Sequence, residues 1–229
     1  MTLKIAPCSH KAATTAVMRF HYSQSMPCGK LVKYGVWEDG EFIGAVIYGR
    51  GGAPPVYKRL KMKQTEACDL VRVALKEHKA PVTKIVAITL RMLRKSNPGL
   101  HMVFSFSDLD QGHEGTIYKA GNWICAGLRL VGAPVGWVLN GKKVHMRTVV
   151  AMVKGKPKSM STKQWLQTNV DPNARIYNNE RGKKQWLYPL SEYGKQRAQS
   201  IASDALRNQR GEGGANPTCA LSHSGDRHG

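Results

Sequence analysis

Asp108, Asp110, His113, Glu114 and Tyr118 fall together in one short segment, with Gly112 and Gly115 between them. An apolar run from Leu100 to Ser107 precedes them and reads as a short buried strand. A strand that ends in an acid, crosses a glycine-containing turn and enters a helix with a tyrosine suits an active-site edge. In open α/β sheets, ligands sit beyond the carboxyl ends of the strands. Carboxylates and an imidazole can take protons or hold a metal, and a phenol can give a proton to a departing group. Packing explains Ile117 and Trp123 but gives no reason for the polar cluster.

Each of these residues has a functional and a structural reading. Tyr118 is a proton donor or a half-buried helix aromatic. Asp108 is a base or ligand, or the cap of the following turn. His21 and Tyr22 lie just past a helix end, where a histidine also interacts well with the dipole. Arg72 stands inside an apolar strand, and a buried arginine needs a partner; Asp108 is the first candidate and a substrate phosphate the second. His113 and Glu114, with Asp108 and His21, make an oxygen and nitrogen set that suits iron.

The elements that must position these groups are legible in outline. Ser9 is placed to cap a helix running to about Phe20. Asp39-Gly40 and Asn140-Gly141 are two-residue hairpin signals, the first between Lys33–Trp37 and Glu41–Tyr48, the second between Gly136–Leu139 and Lys143–Arg147. Residues 50–63 read as a basic loop and Asp69–Leu75 as a strand. A helix is predicted over about Val82–Lys95, closed by Asn97-Pro98-Gly99. Another short helix surrounds Tyr118, a strand follows at Ile124–Leu128, and a further helix spans about Thr162–Thr168. The pattern predicts an α/β fold, a single mixed β-sheet with helices on both faces. Residues 1–190 would form one domain, and residues 191–229 a polar, disordered tail.

Charge narrows the partner. The 229 residues hold 35 Lys and Arg against 15 Asp and Glu, a formal charge of +20. No acid occurs between Glu114 and Asp171, while Lys119, Arg129, Lys142, Lys143, Arg147, Lys154, Lys156, Lys158 and Lys163 all fall there. A long stretch of one sign is the footprint expected for a phosphate backbone. Lys142, Lys143 and Arg147 beside the second hairpin, and Lys154, Lys156 and Lys158 beyond it, are the candidate phosphate contacts. The five cysteines are widely spaced with no C-x-x-C pair, so a zinc ribbon or disulfide framework is not expected and reduced thiols are. No run approaches the apolar length of a membrane span. The amino terminus lacks a signal peptide's apolar core, and a cytoplasmic protein is expected.

The order of elements resembles that of GNAT-type N-acyltransferases, in which parallel strands splay apart in mid-sheet and acyl-coenzyme A enters between them. Ile117 to Trp123 looks like that family's helix carrying a tyrosine that protonates the departing thiolate. More closely, the chain resembles the phage Mom family, on His21 to Pro27, on Tyr48 to Gly51 with Leu70 to Arg72, and on Asp108 to Trp123. Those segments span about residues 15–150.

The resemblance implies an enzyme of the bacterial host cytoplasm that converts adenine in double-stranded DNA to N6-carbamoylmethyl adenine, which evades host restriction. The adenine would be flipped from the duplex, with Trp37, Tyr48, Tyr22 and Trp123 as stacking candidates. Tyr118, Asp108, Tyr22 and Arg72 would be catalytic. Acetyl-CoA would lie against Lys79, Val82, Thr83, Lys84 and Tyr118. Iron would be held by His21, Asp108 and His113. One departure stands out: Lys76 to Lys84 lacks the glycines of the family's diphosphate loop, although open N–H groups at a helix start can hold phosphate. Two other classes fit the same residues, an acetyltransferase acting on a protein or small-molecule amine, and a non-enzymatic basic DNA-binding protein.

Overall fold

Residues 1–50, 54–129, 135–178 and 180–211 are described by a computed structural model of the chain. The Ser9 hydroxyl accepts the Ala12 N–H at 3.1 Å, and the helix it caps, α1 (His10–Phe20), ends where expected. Asp39-Gly40 turns β2 (Leu31–Glu38) into β3 (Glu41–Gly49). A strand not foreseen, β1 (Leu3–Pro7), pairs antiparallel with β2 on its outer side. The expected basic loop contains a helix, α2 (Pro54–Leu60); Tyr57 and Leu60 give it an apolar face, buried with Phe104.

β4 (Ala67–Leu75) leads to α3 (Val82–Ser96), then to β5 (Met102–Asp108). The alternation of β3 shows where the helices lie. Val46 and Tyr48 pack with Ile85, Leu90 and Leu93 of α3. Ala45 and Ile47 pack with Ala13, Ala16 and Val17 of α1. Successive strand residues point to opposite faces, so the sheet carries a helix on each face. α4 (Thr116–Ala120), β6 (Ile124–Arg129), β10 (Lys183–Pro189) and α7 (Glu192–Gly211) complete this part. The seven strands run in the order β1-β2-β3-β4-β5-β10-β6. Only the β4–β5 pair need concern the site: it is parallel and joins Ala67, Cys68 and Asp69 to Met102, Val103 and Phe104. Beyond Asp69 the ladder stops. β4 also bulges against β3, since Ile47 faces Arg72 and Tyr48 faces Leu70, leaving Val71 over.

Two expectations about boundaries are corrected. The chain divides into two compact units, and Asp108–Glu114 with Leu128–Lys183 form the second. A core of its own (Trp137, Leu139, Val149, Leu166 and Ala174) explains the division. There β8-β7-β9 make a small sheet from Lys142–His145, Gly136–Leu139 and Arg175–Tyr177, accompanied by α5 (Met146–Met152) and α6 (Thr162–Asn169). The strand expected to run to Arg147 therefore ends at His145 and becomes a helix. The tail expected from residue 191 is helical through residue 211, because Ala198, Ile201 and Ala202 put an apolar stripe on α7. Small side chains kept that stripe inconspicuous in a polar sequence. Residues 212–229 lie outside the described part.

Candidate active site at the parting of two parallel strands

Where β4 and β5 part, their freed edges are furnished with polar groups from one unit. Ser105 on β5 donates its hydroxyl proton to the Leu70 carbonyl of β4 at 2.8 Å. Its oxygen lies 2.8 Å from the Tyr118 hydroxyl of α4. Because the serine proton is already given to Leu70, the phenol is the donor in the second bond. Trp186 of β10 stacks on the Tyr118 ring at 5.5 Å with planes 17° apart, and Trp123 meets it edge-on at 5.1 Å. The Trp186 indole N–H is fixed in turn by Ser107 at 2.9 Å. Burial pushes the Tyr118 phenol up to about 12, partly offset by the Ser105 bond. At neutral pH it is a protonated donor.

Arg72 donates to the Ser25 carbonyl at 3.3 and 3.1 Å and to its neighbour Val71 at 2.7 Å. Burial weakens its hold on the proton, while the nearby Tyr22 and Asp69 strengthen it. The expected pairing of Arg72 with Asp108 is thus corrected: the acid whose charge acts on Arg72 is Asp69. Sequence reasoning passed over Asp69, Ser105 and Trp186. The signal for Asp69 was present, an acid and an arginine three apart within an otherwise apolar strand. Trp186 gave none, because its strand opens on Lys183, Lys184 and Gln185.

The polar cluster after β5 has a structural account within the second unit. The Asp108 carboxylate accepts the Asp110 N–H at 3.1 Å, capping a short 3-10 turn, and pairs with Lys183 at 3.0 Å. Asp110 accepts the N–H groups of Glu180 and Arg181, each at 3.0 Å. Glu114 pairs with the Arg181 guanidinium at 3.0 Å, and that group also donates to the Leu109 carbonyl. The capping reading of Asp108 is the one the structure supports.

The expected iron ligands do not fit an iron site. Among the described residues no three His, Cys, Asp or Glu side chains gather as a metal-binding group. The His21 Nδ1 accepts the Ser23 N–H at 3.1 Å and lies 2.8 Å from the Ser23 hydroxyl. In the neutral ring that leaves Nε2 carrying the proton, so neither nitrogen offers a lone pair as the ring stands.

Of the four stacking candidates, Tyr48 is 1% exposed and bonds Thr89 at 2.7 Å. Trp123 is buried, and Trp37 packs against Phe42 under Lys4. Tyr22, 59% exposed, is the one that offers an open ring.

The start of α3 meets half of what a diphosphate needs. Pro81 provides no side-chain cap, so the Val82 and Thr83 N–H groups remain for a ligand, with Lys79 and Lys84 close in sequence. The Lys79 and Ala80 N–H groups are already given to the Glu38 carboxylate at 2.8 and 2.7 Å. Glu38 thereby does internally what the missing glycines' amides would do for a phosphate. Of the basic residues, Lys142, Lys154 and Lys158 are exposed. Lys143 is exposed too and lies over the Tyr177 ring at 5.4 Å. Lys156 donates to the Pro157 and Met160 carbonyls. The Arg147 side chain lies outside the described residues. Cys8, Cys28 and Cys68 are free thiols, whereas Cys125 is disulfide-bonded, which corrects the expectation of reduced cysteines throughout.

A mixed sheet whose two parallel strands part beside a buried tyrosine defines an α/β protein with its polar centre inside the sheet. The chain belongs to the Mom protein family, which it matches over residues 2–204. No curated protein matches it in sequence. Among solved structures it is similar to an N-acetyltransferase from Staphylococcus aureus Mu50, with 11% identity, TM-score 0.44, and 83% of this chain and 99% of that one covered. It is also similar to the spermidine/spermine N-acetyltransferase SpeG from Vibrio cholerae, with 9% identity, TM-score 0.45 and coverage of 85% and 99%. A third is the aminoglycoside acetyltransferase AAC(6')-Ib in complex with coenzyme A and kanamycin, with 10% identity, TM-score 0.45 and coverage of 57% and 89%.

Proposed function

We propose that this protein is a transferase that modifies the exocyclic amine of adenine in DNA, giving N6-carbamoylmethyl adenine and resistance to restriction. The observation that carries the reading is the polar centre of Tyr118, Ser105, Arg72 and Tyr22 at the strand parting of a Mom-family chain. The +20 charge supplies the reason for a nucleic-acid substrate. Tyr22 provides the ring on which an extruded base stacks, and Arg72 holds negative charge in the cleft. Tyr118 gives its proton to a departing group by turning its O–H away from Ser105.

An acyl-CoA, if it is the donor, would set its diphosphate against Val82 and Thr83 with Lys79 and Lys84 neutralising it, and would supply an activated thioester. The two bonds from Glu38 make that hold narrower than a glycine-rich loop would. No helix among the described residues is long and apolar enough to cross a membrane.

Mass spectrometry of nucleosides from cells expressing the protein decides among the classes. A modified adenosine, with resistance to endonucleases that cut at adenine-containing sites, is expected. An acetylated amine with unmodified DNA points to an ordinary acetyltransferase. Salt-sensitive DNA binding with neither product points to a binding protein.

Lys142, Lys154 and Lys158 should contact phosphates and not bases, adding affinity without sequence preference. Replacing all three with Gln should lower the salt dependence of binding, log Kd against log salt, by roughly 0.9 for each phosphate no longer neutralised. The set of modified sites should stay the same; a changed set would mean that these side chains read sequence.

A further inference from the structure

Asp69 is the last residue of β4 paired to β5 and the first beside the opening. It is enclosed by protein, yet part of its surface reaches solvent. No hydrogen-bond donor among the described residues serves its carboxylate, and the Arg72 charge is its one electrostatic support. Structural acids elsewhere in the chain look different. Glu38 takes two backbone N–H groups, and Asp171 takes those of Asn140 and Asn173 at 2.7 and 2.8 Å. An enclosed acid that caps nothing and joins no ladder through its side chain has no part in holding the fold, and its burial costs stability.

We infer that Asp69 is the proton acceptor for the amine that the centre modifies. The assignment rests on the activity proposed above. An N–H bond of the adenine amine breaks and the proton passes to an Asp69 carboxylate oxygen. The electron pair remains on nitrogen for the new N–C bond to the electrophilic carbon of the donor, whose leaving group departs with its own pair. The groups whose charges act here are Arg72 and Cys68 on β4, Tyr118 on α4 and Tyr22 beyond α1. Cys68 and Tyr118, both pushed up to about 12, are neutral at pH 7. Asp69, raised by burial to about 7 against the pull of Arg72, is divided between its two forms there. A base works best when its strength matches the working pH.

The test uses the full chain, single-turnover modification of duplex DNA across pH 5.5–8.5, and thermal melting at pH 8. The wild-type rate should climb with pH and level off above about 7, as the carboxylate form fills. Asp69→Asn should cut the plateau rate by at least about 100-fold and remove the rising limb. It should also raise the melting temperature by roughly 5 °C, because the charged form no longer has to be enclosed. Asp69→Glu should keep part of the rate and displace the limb. An Asp69→Asn protein within threefold of wild type, or one that keeps the limb, overturns the assignment. If Asp69→Asn does not fold, the enclosed carboxylate is structural after all and the assignment falls, as it does if Asp69→Glu leaves the limb in place. Wild-type protein that yields no modified nucleoside overturns the proposed function itself, and this assignment with it.

Discussion

Tyr118→Phe should abolish most of the modification activity while leaving the fold nearly as stable as wild type. The ring keeps its stack on Trp186 and its edge contact with Trp123. Only the hydroxyl is lost, and the Ser105 oxygen it served keeps its own bond to Leu70. A change that leaves no buried donor stranded costs on the order of 1 kcal/mol. Removing a positioned acid, in contrast, lowers a rate by roughly 10²–10⁴-fold. Nucleoside mass spectrometry beside a thermal melt reads both quantities. Activity within threefold of wild type would mean that Tyr118 is an aromatic wall and not a proton donor. The rise of rate with pH up to about 7 should survive in this variant, since it belongs to a different group.

Gly115→Ala should have the largest effect on stability of any single methyl added to the site. Gly115 caps α4 with φ +84, a left-handed conformation in which a side chain is strained. A Cβ there would stand 2.2 Å from the Trp186 Cζ2 atom, and Trp186 is among the largest fully buried side chains. The ring cannot yield without leaving Tyr118 and its bond to Ser107. Strain and overpacking together should cost about 3 kcal/mol, a melting temperature lower by roughly 10 °C. Activity should fall even well below the melting point, because Tyr118 would be displaced. A melt within 2 °C of wild type, a threshold about one-fifth of the expected shift, would show that the tryptophan has room to move.

How much of this could be read beforehand differs from element to element. Ser9, Asp39-Gly40, Val82 and Asn140-Gly141 were legible because caps and turns are written in local chemistry. Tyr118 was legible as a candidate because it follows a strand end. Asp69 was not, for the sequence places it at the edge of a strand without showing that the neighbouring ladder stops there. Trp186 was hidden in a strand whose first residues are polar, yet Lys184 and Gln185 are buried. Asp108 and Glu114 were overvalued because their partners, Lys183 and Arg181, lie far along the chain and nothing local announces them.

The position of β10 also bears on how the protein comes into being. Residues 183–189 form the strand between β5 and β6, whose residues are 102–108 and 124–129. During synthesis at about 5–20 residues per second, β5 and β6 wait several seconds for the strand that joins them. Until then the edge of β5 is bare and the aromatic floor under Tyr118 has not yet been made. Such long-range pairing slows folding and leaves a nascent chain exposed to association with its neighbours. It also means that a ribosome-bound fragment cannot carry a finished centre, whatever chemistry that centre performs. The activity arrives only with a nearly complete polypeptide.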